Sequence, residues 1–203
     1  MNRFKEPLKV LLVVVAASLL TGCSKTVQWE EEVPLNTGET IWVKRTVEYK
    51  LQGAGGNPFD MDYRPDYMET LSFQWDGKSY VYEGNADLIL LAISPEKLPV
   101  LVAPAANKGW DGNNNYYCAT PHYVQFSPDA SGRKWSWPPE IEPWLYGLSN
   151  NLMGNLKKPE EMQKRYTVQQ RADADAVALL QSPARAKIDS KFVKNANECK
   201  RRS

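Results

Sequence analysis

The chain has 203 residues, and its 25 Lys and Arg residues nearly balance 24 Asp and Glu residues. This balance excludes the strongly basic footprint of a nucleic-acid-binding protein, and no phosphate-binding loop, nucleophile elbow or dinucleotide-binding fingerprint occurs. One histidine and three cysteines are too few for a zinc site once a cysteine has another task. We therefore expect no metal and no other cofactor.

Residues 1–22 have the layout of a secretory signal. Three basic residues lie among the first nine, and an apolar run of about 13 residues extends from Leu8 to Leu20. A membrane-spanning helix needs roughly 20 such residues. The pattern favours a cleaved signal peptide over a retained transmembrane helix.

The leader ends in Leu20-Thr21-Gly22-Cys23, an aliphatic residue and two small residues directly before a cysteine. This tetrapeptide resembles the lipobox of bacterial lipoproteins, in which the cysteine thiol is acylated and the chain is cut just before it. The resemblance implies lipidation of Cys23, and stable anchoring takes at least two acyl chains. Ser24 implies the periplasmic face of the outer membrane, because enteric-type lipoproteins held in the inner membrane carry aspartate there. An inner-membrane location and an unmodified cysteine stay open as alternatives.

Without the leader, 181 residues remain, with 22 basic and 23 acidic side chains and a formal charge of −1. This length predicts a lipidated tether at 23–26 and a single β-rich domain at 27–203. Cys118 and Cys199 are then an even pair in an oxidising compartment. A disulfide between them would close a loop of roughly 80 residues and contribute about 2–4 kcal/mol. Free thiols are the alternative.

Alternating apolar residues predict antiparallel strands over the first two thirds of the mature chain. Val27–Leu35 and Ile41–Leu51 form one hairpin, and Asp76-Gly77 marks the turn of a second. Residues 52–69, which contain three glycines and two prolines, read as a long surface loop. Five later strands are predicted, at Leu88–Ile93, Val100–Ala103, Tyr116–Ala119, Tyr123–Phe126 and Lys134–Trp137.

The C-terminal part, about 140–198, changes character. Lys158–Gln181 is rich in Glu, Gln, Arg and Ala and predicts a helix, and residues 184–198 hold a possible short final helix. The predicted fold class is α+β, with a mostly antiparallel β meander, as one sheet or a sandwich, followed by C-terminal helices. Residues 29–49 also resemble the start of a group of uncharacterised Gram-negative proteins, many of them lipoproteins, which carry no assigned activity.

No catalytic residue can be assigned. His122 is the only histidine, four residues after Cys118, and a disulfide would consume that thiol. Glu140 and Glu142 could serve a glycan hydrolase, but two acids two residues apart share a side only on a strand, which nearby prolines disfavour. The calcium-loop pattern of residues 111–115 fails, since its required glycine and glutamate are absent from the expected positions.

The aromatic residues offer a candidate binding surface. Trp135 and Trp137 share one parity, which is typical of a core, whereas Trp42 lies on the polar parity of its strand and Trp110 lies in a Gly/Asn-rich segment. We therefore expect Trp42 and Trp110 to be exposed. The sequence favours a membrane-anchored, non-enzymatic binding or envelope-accessory module whose partner is an envelope protein or a glycan. The alternative is a small hydrolase acting on cell-wall material.

Overall fold

The computed structural model describes residues 24–54, 57–105, 122–138, 140–154, 156–181 and 183–191. The predicted signal peptide, the predicted strand Tyr116–Ala119, the possible Cys118–Cys199 bridge, and the roles of Cys23 and Trp110 lie outside these residues and stay predictions.

The described chain folds into two β-sheets. The first has the strand order β4-β3-β2-β1-β9, and all its neighbours are antiparallel except β9, which runs parallel to β1. Its strands are β1 (Ser24–Pro34), β2 (Thr40–Ala54), β3 (Asn57–Trp75), β4 (Lys78–Gly84) and β9 (Arg165–Tyr166). The second sheet is an antiparallel meander of β5 (Leu90–Ile93), β6 (Pro99–Pro104), β7 (Tyr123–Pro128) and β8 (Trp135–Ser136).

Helices follow the strands in the C-terminal part. Two short 3-10 turns, Pro143–Leu145 and Pro159–Glu161, precede helix α1 (Val168–Gln181) and the four-residue helix α2 (Pro183–Ala186). The mostly antiparallel α+β fold is confirmed. Within the described residues, however, one C-terminal helix exceeds a single turn, in place of the several helices predicted.

Two predicted boundaries differ from the structure. Residues 52–54 and 57–69 are not a surface loop, because they continue β2 and β3 as a long hairpin in which Leu51 pairs with Tyr63 and Gly53 with Met61. The proline signal misled because Pro65 lies next to a register irregularity, where a missing N–H is tolerated. The ordered β-structure also begins at Ser24, which pairs with Lys50, and not at Val27.

The predicted Asp-Gly turn joins β3 to β4. Asp76 and Gly77 have φ angles of 47° and 71°, the positive pair that a two-residue hairpin turn requires. At the β1–β2 turn, the Asn36 side chain donates to the carbonyl of Ile93 at 2.9 Å and accepts from its N–H at 2.8 Å. That contact ties the first hairpin to the second sheet.

The interior between the two sheets is apolar and aromatic. From the first sheet it contains Val33, Val43, Leu71, Phe73, Tyr80 and Tyr82, and from the second Leu91, Ile93, Leu101, Ala103, Val124 and Phe126. Tyr82 and Phe126 meet edge to face across it, 5.4 Å between ring centroids. The other face of the second sheet is covered by Ile141, Leu145 and Ile188. Burial on both faces explains the unbroken apolar runs of β5 and β6.

The segment after the first 3-10 turn fastens the sheets together. Asn151 accepts from Leu91 N–H at 2.8 Å and donates to the carbonyls of Leu91 and Pro34 at 2.7 and 2.8 Å. Beyond it, Met153 and Tyr166 cover the half of the first sheet that carries Trp29 and Tyr49. These contacts leave the opposite face of the first sheet open.

Helix α1 begins at a capping box. The Thr167 hydroxyl accepts from Gln170 N–H at 3.3 Å, and the Gln170 side chain accepts from Thr167 N–H at 2.9 Å. Glu32 of β1 accepts from Val168 N–H at 3.1 Å and adds a negative charge at the positive helix end. The helix predicted to begin near Lys158 therefore begins ten residues later, after Tyr166 has joined the sheet.

Candidate binding face

The open face of the first sheet displays rows of outward-facing side chains, most of them polar. The strand register aligns one row across all five strands: Val81, Ser72, Lys44, Glu30 and Arg165. A second, shorter row contains Gln74 paired with Ser79, and Trp42 paired with Glu32. These residues point outward because alternate residues of each strand face the core. We call this surface the outer face.

Trp42 is the large aromatic residue of the outer face, with 42% of its surface exposed. The Arg165 guanidinium lies over its ring, 4.5 Å from the centroid, and donates from Nε to Glu30 at 2.7 Å. The cation–π contact places Arg165 against one face of the indole, and the Arg165–Glu30 ion pair links β9 to β1. Trp42 thus lies where its strand parity predicts, and Arg165 restricts its orientation.

A shallow groove of about 700 Å³ runs from Trp42 toward β4. The side chains that face it include Lys44, Ser72, Gln74, Ser79 and Val81. They offer an ammonium donor, two hydroxyls and one amide, next to the flat indole. This combination suits a ligand with an apolar face and a polar edge. Binding sites commonly pair apolar lining with a few placed polar groups.

Apart from Trp42, none of the residues that line the groove was predicted from the sequence as a site residue. Ser72 and Gln74 occupy the polar parity of β3, opposite Leu71 and Phe73. That parity, combined with the Asp76-Gly77 turn that sets the β3–β4 register, was a usable signal. The contribution of Arg165 could not be found in this way, because β9 has only two residues and joins β1 in parallel.

A second cluster of functional groups lies on the inner face, where Arg45 is 1% exposed between Glu31 (0%) and Glu69 (7%). Its guanidinium donates to Glu31 at 3.2 Å, to Glu69 at 2.5 Å and to the Met153 carbonyl at 2.6 Å. Glu31 also accepts from Met153 N–H at 2.9 Å. The cluster therefore fastens residue 153 to the sheet.

Burial dominates the electrostatics of this cluster. Desolvation raises the pKa values of the Glu31 and Glu69 carboxyls, and Arg45 partly opposes the rise. The two carboxylates in turn raise the pKa of Arg45, which stays charged. Perturbed carboxyls often mark active sites. Here both carboxyls are buried among the described residues, share one arginine and fasten Met153 to the sheet, and we assign the cluster a structural role.

Further charged residues lie near this cluster and contact the C-terminal helices. Arg185 forms a two-pronged ion pair with Asp87, and one of its prongs is 2.9 Å long. Asp175 of α1 accepts from Gly154 N–H at 3.2 Å, and Arg171 is buried beside it. Together these groups fix α1 and α2 against the body of the domain.

The two carboxylates considered for glycan hydrolysis, Glu140 and Glu142, lie in different environments. Glu142 accepts from the Gln125 amide at 2.9 Å and from the Trp144 indole N–H, while Glu140 is exposed. His122 packs edge to face on Tyr123, 4.9 Å between ring centroids. Within the described residues no group of three or more His, Cys, Asp or Glu side chains could hold a metal ion.

Trp135 and Trp137 do not share a core position. Trp135 is partly buried and donates from its indole N–H to the Val81 carbonyl at 2.7 Å, whereas Trp137 is 39% exposed. Their shared parity misled because β8 ends at Ser136.

Among the described helices none is long and apolar enough to cross a membrane.

Comparison with known proteins gives this chain no relatives from which a role could be transferred. No protein-family model matches it, and neither a curated protein nor a solved structure was found to be similar.

Proposed function

We propose that the chain is a lipoprotein of the bacterial outer membrane, anchored through Cys23 and facing the periplasm, that binds an envelope glycan without cleaving it. The leader and its terminal Leu20-Thr21-Gly22-Cys23 support the anchor. The exposed Trp42 beside a groove that presents the polar groups of Lys44, Ser72, Gln74 and Ser79 is the observation that carries the binding role.

The chemistry of the groove favours a glycan over an apolar ligand. A sugar ring has an apolar face of C–H groups and an edge of hydroxyls. The Trp42 indole can cover the first, while Lys44, Ser72, Gln74 and Ser79 can hydrogen-bond the second. Because Arg165 lies over one face of the indole, a ligand would stack on the other face, and the contact with Arg165 reduces the side-chain entropy lost on binding.

A sedimentation assay with purified cell-wall sacculi tests the proposal. The lipidated chain in detergent should bind the sacculi, and Trp42→Ala should weaken binding about 30-fold, equivalent to the roughly 2 kcal/mol of an aromatic hot spot. Trp137→Ala is the matched control, because it removes an equally exposed tryptophan away from the groove.

Three results would contradict the proposal. Equal binding by both variants would exclude the outer face, and absence of binding by the unaltered chain would leave an envelope protein as the partner to seek. Release of soluble glycan fragments from the sacculi would establish the hydrolase instead.

A further inference from the structure

We propose that the end of the β2–β3 hairpin is a second membrane contact, seated in the lipid headgroups of the bilayer that holds the acyl chains of Cys23. The inference rests on the proposed lipid anchor. We call the paired residues 50–53 and 61–64 the hairpin end.

The strand register places the hairpin end beyond the anchor. Ser24 pairs with Lys50, and Lys50 pairs with Arg64, so these three residues lie at one level of the sheet. Beyond that level β2 continues to Ala54. The hairpin end stops at Gly53, three residues past Lys50, and three residues of antiparallel strand span about 10 Å.

Covalent geometry limits the distance between Cys23 and the first residue of β1. Cys23 is bonded to Ser24, the first residue of β1, and consecutive Cα atoms are about 3.8 Å apart. The hairpin end therefore reaches about 6 Å farther than the lipidated residue. A headgroup layer is about 5–8 Å thick on each side of a bilayer. A domain standing on Cys23 with β1 upright thus places the hairpin end within that layer.

Pairing of β1 with β2 keeps this geometry rigid. The β2–β3 ladder has register shifts between Val47 and Tyr49 and between Gly53 and Ala54, and the first of these could change the direction of the hairpin before its end. However, β1 follows β2 past that shift as far as Lys50, so the start of β1 and the hairpin end share one direction. With no free tether after Cys23, the domain cannot rise away from the surface on a flexible linker.

The side chains of the hairpin end suit a headgroup layer. Met61 is 48% exposed, and Arg64 is also exposed. Two acids of this region are ion-paired, since Asp62 pairs with Lys158 at 3.0 Å and Asp66 with Lys50 at 2.5 Å. The apolar side chain gains from partial burial, the arginine can meet lipid phosphates, and the two ion pairs reduce repulsion from anionic lipid.

The test uses the full lipidated chain in vesicles of phosphatidylethanolamine and phosphatidylglycerol. An environment-sensitive fluorescent amino acid replaces Met61 in one sample and Thr37, at the opposite end of β1, in the matched control. The label that replaces Met61 should show blue-shifted emission, and lipids that carry a shallow doxyl group should quench it. This quenching should be at least twofold stronger than that of the label that replaces Thr37. A further sample labelled at Arg64 should also be quenched, which covers local disturbance by the Met61 label.

The inference would be overturned if the labels at positions 61 and 64 were both unquenched in a sample whose intact mass shows an acylated Cys23. A blue shift without lipid quenching would place protein, including a second copy of the chain, against the hairpin end and would also overturn it. An unmodified Cys23 in the same sample would instead refute the anchor on which the inference rests.

Discussion

Replacing Arg45 with methionine should lower the free energy of unfolding by about 3–5 kcal/mol at neutral pH. Methionine keeps much of the side-chain length but removes the charge that Glu31 and Glu69 share inside the domain. It also removes the donor to the Met153 carbonyl. The loss is large because two buried carboxylates are left without a counter-ion, and not because one ion pair is intrinsically strong.

The matched control is Lys50→Met, which breaks the Lys50–Asp66 ion pair. Lys50 is half exposed there, and an exposed pair contributes at most about 1 kcal/mol. A second variant, Glu31→Gln/Arg45→Met/Glu69→Gln, removes all three charges of the buried cluster together. It should regain most of the stability that Arg45→Met loses, because no uncompensated charge stays buried.

The destabilisation should also depend on pH. Burial raises the native-state pKa values of Glu31 and Glu69 above 4.5, and Arg45 opposes that rise. Without Arg45 both native-state values rise further. Near pH 4.5 the native variant can keep both carboxyls protonated, whereas at higher pH the unfolded state ionises first. The stability difference between the unaltered chain and Arg45→Met should therefore grow as pH increases above 4.5.

Urea unfolding at several pH values, followed by circular dichroism, measures these differences. The interpretation of the cluster as a structural clamp would be refuted if Arg45→Met lost no more than Lys50→Met. A loss that stayed constant from pH 5 to pH 8 would refute the linked ionisation of Glu31 and Glu69.

Two further predictions concern the turns and the helix start. Gly132→Ala should lower the free energy of unfolding more than Gly38→Ala in the same assay. Both glycines have positive φ angles, +73° and +91°, which cost roughly 1–2 kcal/mol for alanine, but a Cβ at 132 would also lie 2.8 Å from the Ser79 carbonyl oxygen. Equal losses of stability in the two variants would contradict this reasoning. Thr167→Ala should lower the free energy of unfolding by about 1 kcal/mol, because it removes the hydroxyl of the capping box. Thr167→Ser keeps a hydroxyl and should retain most of that stability. If the alanine and serine variants were equally stable, the hydroxyl would have no capping role.

The β-rich first part could be predicted because its signals are local. The alternation along β1 and β2 and the Asp76-Gly77 turn each act over a few residues. The hairpin between Gln52 and Glu69 escaped prediction because its pairing depends on the partner strand, and glycine and proline obscure the alternation. For the same reason the two-residue strand at Tyr166, paired in parallel with Glu31 far earlier in the chain, could not be foreseen.

The candidate sites divide in a similar way. The exposure of Trp42 follows from the parity of one strand, so the sequence could predict it. In contrast, Glu31 and Arg45 fall on the apolar parity of β1 and β2, and only the folded sheet brings Glu69 to them. Arg165 reaches Trp42 because β9 joins the edge of β1, which no local pattern indicates.

The membrane anchor is tested most directly by the intact mass of the mature chain purified from bacterial membranes. The anchor predicts an amino terminus at residue 23 and added mass for a diacylglyceryl group on Cys23, with or without a further acyl chain. In parallel, Cys23→Ala should abolish this modification. A chain that begins at any other residue, or that carries an unmodified Cys23, would contradict the anchored lipoprotein.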